Sequence, residues 1–232
     1  MKKYFYLSLM ATALLSVGLF CSCQEKAKKE IKTVENGHEC VDLGLSVYWA
    51  STNVGASSPE DLGDRFAFGE TETKTSFTKE NYKHYTQGGA SIIDKDGFKT
   101  GTVDDKWPLA GKDIAGTNDD VAHVKWGGKW RMPTKDQYQE LIDKCNWKYT
   151  EKNGVEGYKI SSRKTRKWIF IPIRPLNYHG ISYAEWDDFD YFYRTSSSGS
   201  YAVEANYLSS DDKKELYQKT DFKGLRVRPV CE

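Results

Sequence analysis

The sequence predicts an α+β domain with strands near both ends of the chain, two short helices between them and a long irregular middle. Three observations carry that prediction. Val41, Leu43, Leu45, Val47 and Trp49 place an apolar residue at every second position, the period of a half-buried strand. Thr134 and Gln137 form a T-x-x-Q capping pattern ahead of Tyr138, Leu141, Ile142 and Cys145, which fall at i, i+3, i+4 and i+7 on one helical stripe. From residue 157 onward, short β-rich runs alternate with turn residues.

Taken in order, the chain opens with Lys2 and Lys3, then an almost uncharged apolar run from Tyr4 to Phe20. That is the layout of a secretory signal. The run has 17 residues, at the lower edge of the ~17–25 that span a bilayer as a helix. The small residue Ser22 before Cys23 resembles a bacterial lipobox, which implies cleavage after residue 22 and acylation of the Cys23 thiol. Residues 23–36 are rich in charge and poor in anything to bury, so they read as a flexible tether.

Composition narrows the classes. A net charge of +1, with Lys and Arg spread along the chain, argues against a nucleic-acid partner. Aromatics make up 14% of the residues, including 15 Tyr and 7 Trp, side chains that suit surfaces both apolar and hydrogen-bonding. With Cys23 committed to lipid, Cys40, Cys145 and Cys231 remain for at most one disulfide. No C-x-x-C or Cys/His cluster indicates zinc.

The first strand, 41–49, carries Asp42, Gly44, Ser46 and Tyr48 on its other face. From Ser57 to Lys112 the pattern dissolves into Gly, Asp, Thr, Lys and Tyr, interrupted by RFAFGE (65–70) and SIID (91–94). Asp119 and Asp120 can cap a short helix bearing Val121, Val124 and Trp126, which Gly127-Gly128 stops. The second helix begins at Thr134. Strand runs then follow in GYKISS, KWIFIPI, YFYRTSS, YAVEANYLS and GLRVRPV, with an Asn-Gly turn at 153–154. In the last run Leu225 and Val227 alternate with Arg226 and Arg228, so one buried and one basic face are expected.

WGGKWRMPTKDQYQEL and the terminal GLRVRPVC look like the paired signatures of the C-type-lectin-like fold of formylglycine-generating enzymes and their relatives. VDLGLSVYWASTNVGA, with FAFGE, resembles the Fibrobacter succinogenes major paralogous domain, abundant in exported lipoproteins of Bacteroidetes. These strings span residues 38–231. The resemblance implies a C-type-lectin-like domain over 37–232, with paired N- and C-terminal strands and long loops that form a ligand face. It also implies a disulfide: Cys40 with Cys231, or, in the manner of a helix tied to the final strand, Cys145 with Cys231.

The activity of formylglycine-generating enzymes does not transfer, because their reactive cysteine pair is missing from the C-terminal half. H-E-x-x-H, G-x-S-x-G and glycine-rich phosphate loops are missing from the sequence too, and its four histidines are scattered. No catalytic residue is assigned. The expected ligand face is residues 183–212, dense in Tyr, Trp, Asp, Ser and Asn like a binding loop built from rigid aromatics and small polar groups. Its candidate contacts are Tyr183, Trp186, Asp187, Asp188, Asp190, Tyr193, Glu204, Asn206 and Tyr207, although alternate aromatics such as Tyr191 and Tyr193 could instead fill the core. No metal is assigned. Calcium is the one possible ion, through the acids at 187, 188, 190 and 204, but such a site needs about six to eight oxygens. The basic run SRKTRK at 162–167 reads as a solvated hairpin turn, with an anionic glycan or headgroup as the alternative.

The expectation is therefore a non-catalytic lipoprotein of the cell envelope, anchored by lipid in the outer membrane, that binds an extracellular glycan or a surface protein. The alternatives are a structural component of a surface assembly and an enzyme on the same fold. Neither cofactor nor nucleic-acid partner is expected.

Overall fold

Asp42 turns the chain where a continuous strand was expected. Its Oδ1 accepts the Gly44 N–H at 2.7 Å, and Gly44 takes φ +69, a left-handed conformation that glycine adopts without a Cβ penalty. The 41–49 run is thus a hairpin: β2 (His38–Val41) and β3 (Tyr48–Ala50) pair antiparallel, Cys40 opposite Ala50 and Val41 opposite Trp49. The alternation survives in the burial. Val41, Leu43, Val47 and Trp49 are buried although only the two ends are strand.

The computed structural model describes residues 33–86, 90–93, 95–97, 99–103, 108–173, 192–198, 203–208, 214–219 and 222–232. Lys32–Glu232 forms one compact unit. Strand β1 (Thr33–Glu35) pairs with β2, so the expected tether gives way to folded chain before residue 36. The last strand, β12 (Val230–Cys231), pairs with β3 and completes an antiparallel sheet ordered β1-β2-β3-β12. The N- and C-terminal strands thus share a sheet.

The expected GLRVRPV strand is mostly irregular, with only its end in β12. Leu225 forms an isolated bridge to Phe66, and Arg226 one to Tyr193. Proline at 229 has no N–H for a ladder. The expected basic face is also corrected: Arg228 is 0% exposed, like Val227 beside it.

Among the described residues, three further antiparallel sheets complete an α+β architecture. β4 (Ala90–Ile93) pairs with β5 (Lys99–Val103) inside the polar middle. β6 (Cys145–Lys152), β7 (Val155–Ser162) and β8 (Trp168–Pro172) form a meander. Asn153 and Gly154, both at positive φ, make its first turn, as type I′ hairpins require. β9 (Phe192–Ser198), β10 (Val203–Leu208) and β11 (Lys214–Lys219) lie in the order β11-β10-β9.

Both helices start on their caps. In α1 (Val121–Trp126) Asp120 is the N-cap and Gly127, at φ 64, ends the helix. Val121, Ala122 and Trp126 are buried, whereas Val124, expected on the apolar side, is exposed. In α2 (Lys135–Lys144) Thr134 accepts from Gln137 N at 3.2 Å, and Gln137 Oε1 accepts from Thr134 N at 3.0 Å. Such a cap is worth about 1 kcal/mol. Tyr138 and Leu141 are buried from this helix, and Ser46 N and Oγ both donate to Glu140, joining the β2–β3 loop to its outer side.

The apolar core has two clusters. One gathers Trp49, Tyr138, Leu141, Cys145, Tyr158, Ile160, Ile171, Tyr193 and Val230 between α2 and the strands. The other gathers Cys40, Phe66, Phe68, Val121, Trp126, Trp130, Met132 and Cys231 around α1. Phe66, Phe68 and Leu109 of the second cluster come from the polar middle, where Ala67 and Tyr82 are buried as well. Each large apolar side chain so enclosed contributes about 1.5–3 kcal/mol.

Candidate functional site

The stretch that leads to the expected ligand face, residues 183–212, begins where β8 ends. Ile173 N donates to Glu156 O at 2.9 Å, holding the exit of β8 against β7. On the other side of residues 174–191, Tyr193 is fully buried on β9 and donates through its hydroxyl to Pro172 O at 2.7 Å. The chain therefore leaves and rejoins the core at one place. Tyr193, named as a ligand contact, is corrected to a core residue, since a side chain with no exposed surface cannot meet a ligand from outside.

Around Tyr193 lies a buried polar network. Asn53 Nδ2 donates to Tyr193 Oη at 3.2 Å and to Leu62 O at 2.8 Å, and its Oδ1 accepts from Arg228 Nε at 2.8 Å. Arg228 also donates to Ala50 O at 3.1 Å and Phe170 O at 2.8 Å. One guanidinium thereby joins the end of β3 and the middle of β8 to the last segment. Burial pulls the Arg228 pKa below its ordinary value, with Tyr193 and Tyr138 opposing. Burial likewise pushes the Tyr138 phenol well above the usual tyrosine range.

A second buried hub positions α1 and the entry to α2. Asp120 Oδ1 accepts from Ala122 N at 2.9 Å and His123 N at 3.1 Å, and Oδ2 from Gly116 N and Met132 N, both at 2.8 Å. Burial raises its pKa, and these four N–H groups oppose the rise. Neither Asn53 nor Arg228 was identified from sequence. The signals were faint: an amide after a strand, and an arginine in a run that looked half exposed.

Tyr183, Trp186, Asp187, Asp188 and Asp190 lie outside the described residues, as does Cys23. Glu204, Asn206 and Tyr207 are on β10. The register sets Asn206 opposite Tyr193 of β9 and Leu216 of β11, Glu204 opposite Gln218, and Tyr207 opposite Phe192 and Glu215. Among the described residues, no group of three or more His, Cys, Asp or Glu side chains could hold a metal ion. No described helix is long and apolar enough to cross a membrane.

The basic turn 162–167 is built into the fold. Ser162 Oγ donates to Leu43 O at 2.6 Å and Thr165 Oγ1 to Asp42 O at 2.7 Å. Arg163 donates to Asp143 O and Cys145 O at the end of α2, each at 3.3 Å. Its hydroxyls anchor it while Arg163, Lys164 and Arg166 remain exposed. Cys40 and Cys231 meet with their sulfurs 3.1 Å apart in one core cluster, and Cys145 sits in the other. All three are buried.

No protein-family model, no curated protein and no solved structure matches this chain.

Proposed function

We propose that this chain is an exported, lipid-anchored protein of the cell envelope whose domain, C-type-lectin-like and of the Fibrobacter succinogenes major paralogous kind, binds an extracellular glycan or surface protein without catalysis. The observation that supports it best is the junction of Tyr193 with Pro172. The stretch between the two, residues 173–192, is long for a connection within a compact domain, and connections of such length are usually functional. This one holds Tyr183, Trp186, Asp187, Asp188 and Asp190, and a rigid two-ended anchor is how binding loops are carried on scaffolds. Aromatic faces would stack on the apolar faces of sugars while carboxylates and amides bond their hydroxyls. Acylation at Cys23 would keep the domain at the membrane surface, where clustering adds avidity.

The test is a glycan array followed by calorimetry on the full-length chain in detergent, with and without calcium. Binding that weakens about tenfold or more in Trp186→Ala or Asn206→Ala supports the reading. Calcium dependence would assign the acids at 187, 188, 190 and 204 as ligands. No saccharide binding in either condition removes the glycan version and leaves a protein partner. Radiolabelled palmitate incorporated by the wild type and lost in Cys23→Ser supports the anchor; equal labelling of both overturns Cys23 as its site.

A further inference from the structure

Two thiols far apart in sequence meet beside the central strand β3. Cys40 on β2 stands opposite Ala50, and Cys231 on β12 stands opposite Tyr48, so the two strands flank β3 on either side. Their sulfurs are 3.1 Å apart, about 1 Å more than a bonded pair. The residues are 4% and 1% exposed, under Trp126, Trp130 and Met132 of the same cluster.

We propose that Cys40 and Cys231 are joined by a disulfide that clasps the N-terminal hairpin to the last strand and relieves the domain of tension from its tether, with Cys145 remaining a thiol. In bond formation each thiol gives up a proton and an electron as the sulfurs join. An oxidising disulfide takes up both electrons and both protons and becomes two thiols. The supply of that oxidant rests on the reading of the chain as exported. Burial raises the Cys231 pKa, with the Cys40 thiol beside it adding to the rise. The folded, reduced pair therefore holds little thiolate, so the bond is made as the chain folds, and a leaving thiol of raised pKa makes it slow to exchange afterwards.

The position of the bond gives it a mechanical consequence. A pull from an anchor at Cys23 enters the fold at β1 and would peel β1 and then β2 from the sheet. A cross-link at Cys40 passes the load straight to β12. Residues 41–230, which include the candidate ligand face, then lie inside a closed covalent loop and cannot be unravelled from the N-terminal side.

The full-length chain is refolded from denaturant and reductant into a mixture of oxidised and reduced glutathione, alkylated in denaturant, and mapped by peptide mass spectrometry. The expected result is a linked pair of peptides carrying Cys40 and Cys231, with Cys145 alkylated. Dithiothreitol should lower Tm by about 10 °C, as should the Cys40→Ala/Cys231→Ala double substitution, which then ignores reductant. Cys145→Ala should respond to reductant as the wild type does. Alkylation of both Cys40 and Cys231 after oxidation, or a Cys145–Cys231 link, overturns the clasp. In single-molecule pulling from residue 24 against Glu232, the oxidised chain should extend by residues 24–39 and Glu232 alone, which lie outside the clasp. Release of the whole domain's length overturns the mechanical role. Cys40–Cys231 linkage in a chain that takes up no lipid would support the bond and count against the anchor, so the two failures are told apart.

Discussion

Tyr193 Oη lies 2.7 Å from Pro172 O, and that single contact joins the last residue of β8 to the second residue of β9 across the stretch 173–192. The same hydroxyl accepts from Asn53 Nδ2, whose other amide atom holds Arg228. The two ends of the stretch 173–192 are therefore held by side chains that never reach the surface.

Tyr193→Phe keeps the ring and removes the hydroxyl. Pro172 O then lies buried without its donor, and Asn53 keeps only Leu62 O for its amide hydrogens. The expected cost is about 1–3 kcal/mol, read from the midpoint of urea unfolding. Ligand affinity should fall with it, through a looser anchor. Unchanged stability would mean that the hydroxyl does not hold the two strand ends together.

Asp120→Asn should behave as a severe substitution despite its shape. Both carboxylate oxygens accept two backbone N–H groups each. An amide keeps one oxygen and turns an NH2 toward two donors. Loss of one pair of these bonds, with an NH2 set against two buried donors, costs about 2–4 kcal/mol, measurable by thermal or urea unfolding. Asp119→Asn next to it, on a half-exposed side chain, should change stability by less than about 0.5 kcal/mol.

Local signals were legible where local chemistry decides the structure. The Thr134 capping box, Asn153-Gly154 and the Gly127 stop each act within a few residues and appear as read. Of the helical stripe, Tyr138 and Leu141 are buried in α2, while Ile142 is half-buried and Cys145 already opens β6. The 41–49 run misled because burial and strand share a period of two, and Asp42 with Gly44 kept the burial while folding the chain back. Arg228 misled because alternation describes a sheet with one solvated face, whereas this segment is enclosed on both sides and meets its cost through Asn53, Ala50 and Phe170. Those partners are up to 178 positions away, and periodicity carries no such information. For Trp186 and the acids around it, composition alone supports a site.

His38 provides a pH-dependent contact. Its ring stacks on Trp126 with centroids 3.7 Å apart and meets Trp130 edge-on, and burial lowers its pKa below 6.5. A histidine depressed in the folded state contributes stability in full above its unfolded pKa, near 6.5, and loses it as pH falls through the folded value. Urea midpoints should therefore drop more between pH 7.5 and pH 5 for the wild type than for His38→Phe, which keeps a stacking ring without the proton. Equal drops would show that this ring does not titrate against folding.

Gly154 and Gly157 separate two reasons for a glycine in one hairpin. Gly154 has φ +81, and a Cβ added there would meet nothing within 4 Å, so Gly154→Ala carries only the left-handed backbone penalty of about 1–2 kcal/mol. Gly157 sits inside β7 opposite Thr150 and Pro172, where a Cβ would come 2.4 Å from Ile171 O and 2.5 Å from Phe170 Cζ. Phe170 can turn, but the carbonyl belongs to the adjoining strand, so β8 itself must move. Gly157→Ala should then cost about 2–3 kcal/mol and speed amide exchange in β8 around Ile171, next to Pro172 and the Tyr193 anchor. Gly154→Ala should leave exchange in β8 unchanged. Matching exchange profiles for the two variants would mean that β8 is not held against β7 by the close approach at Gly157.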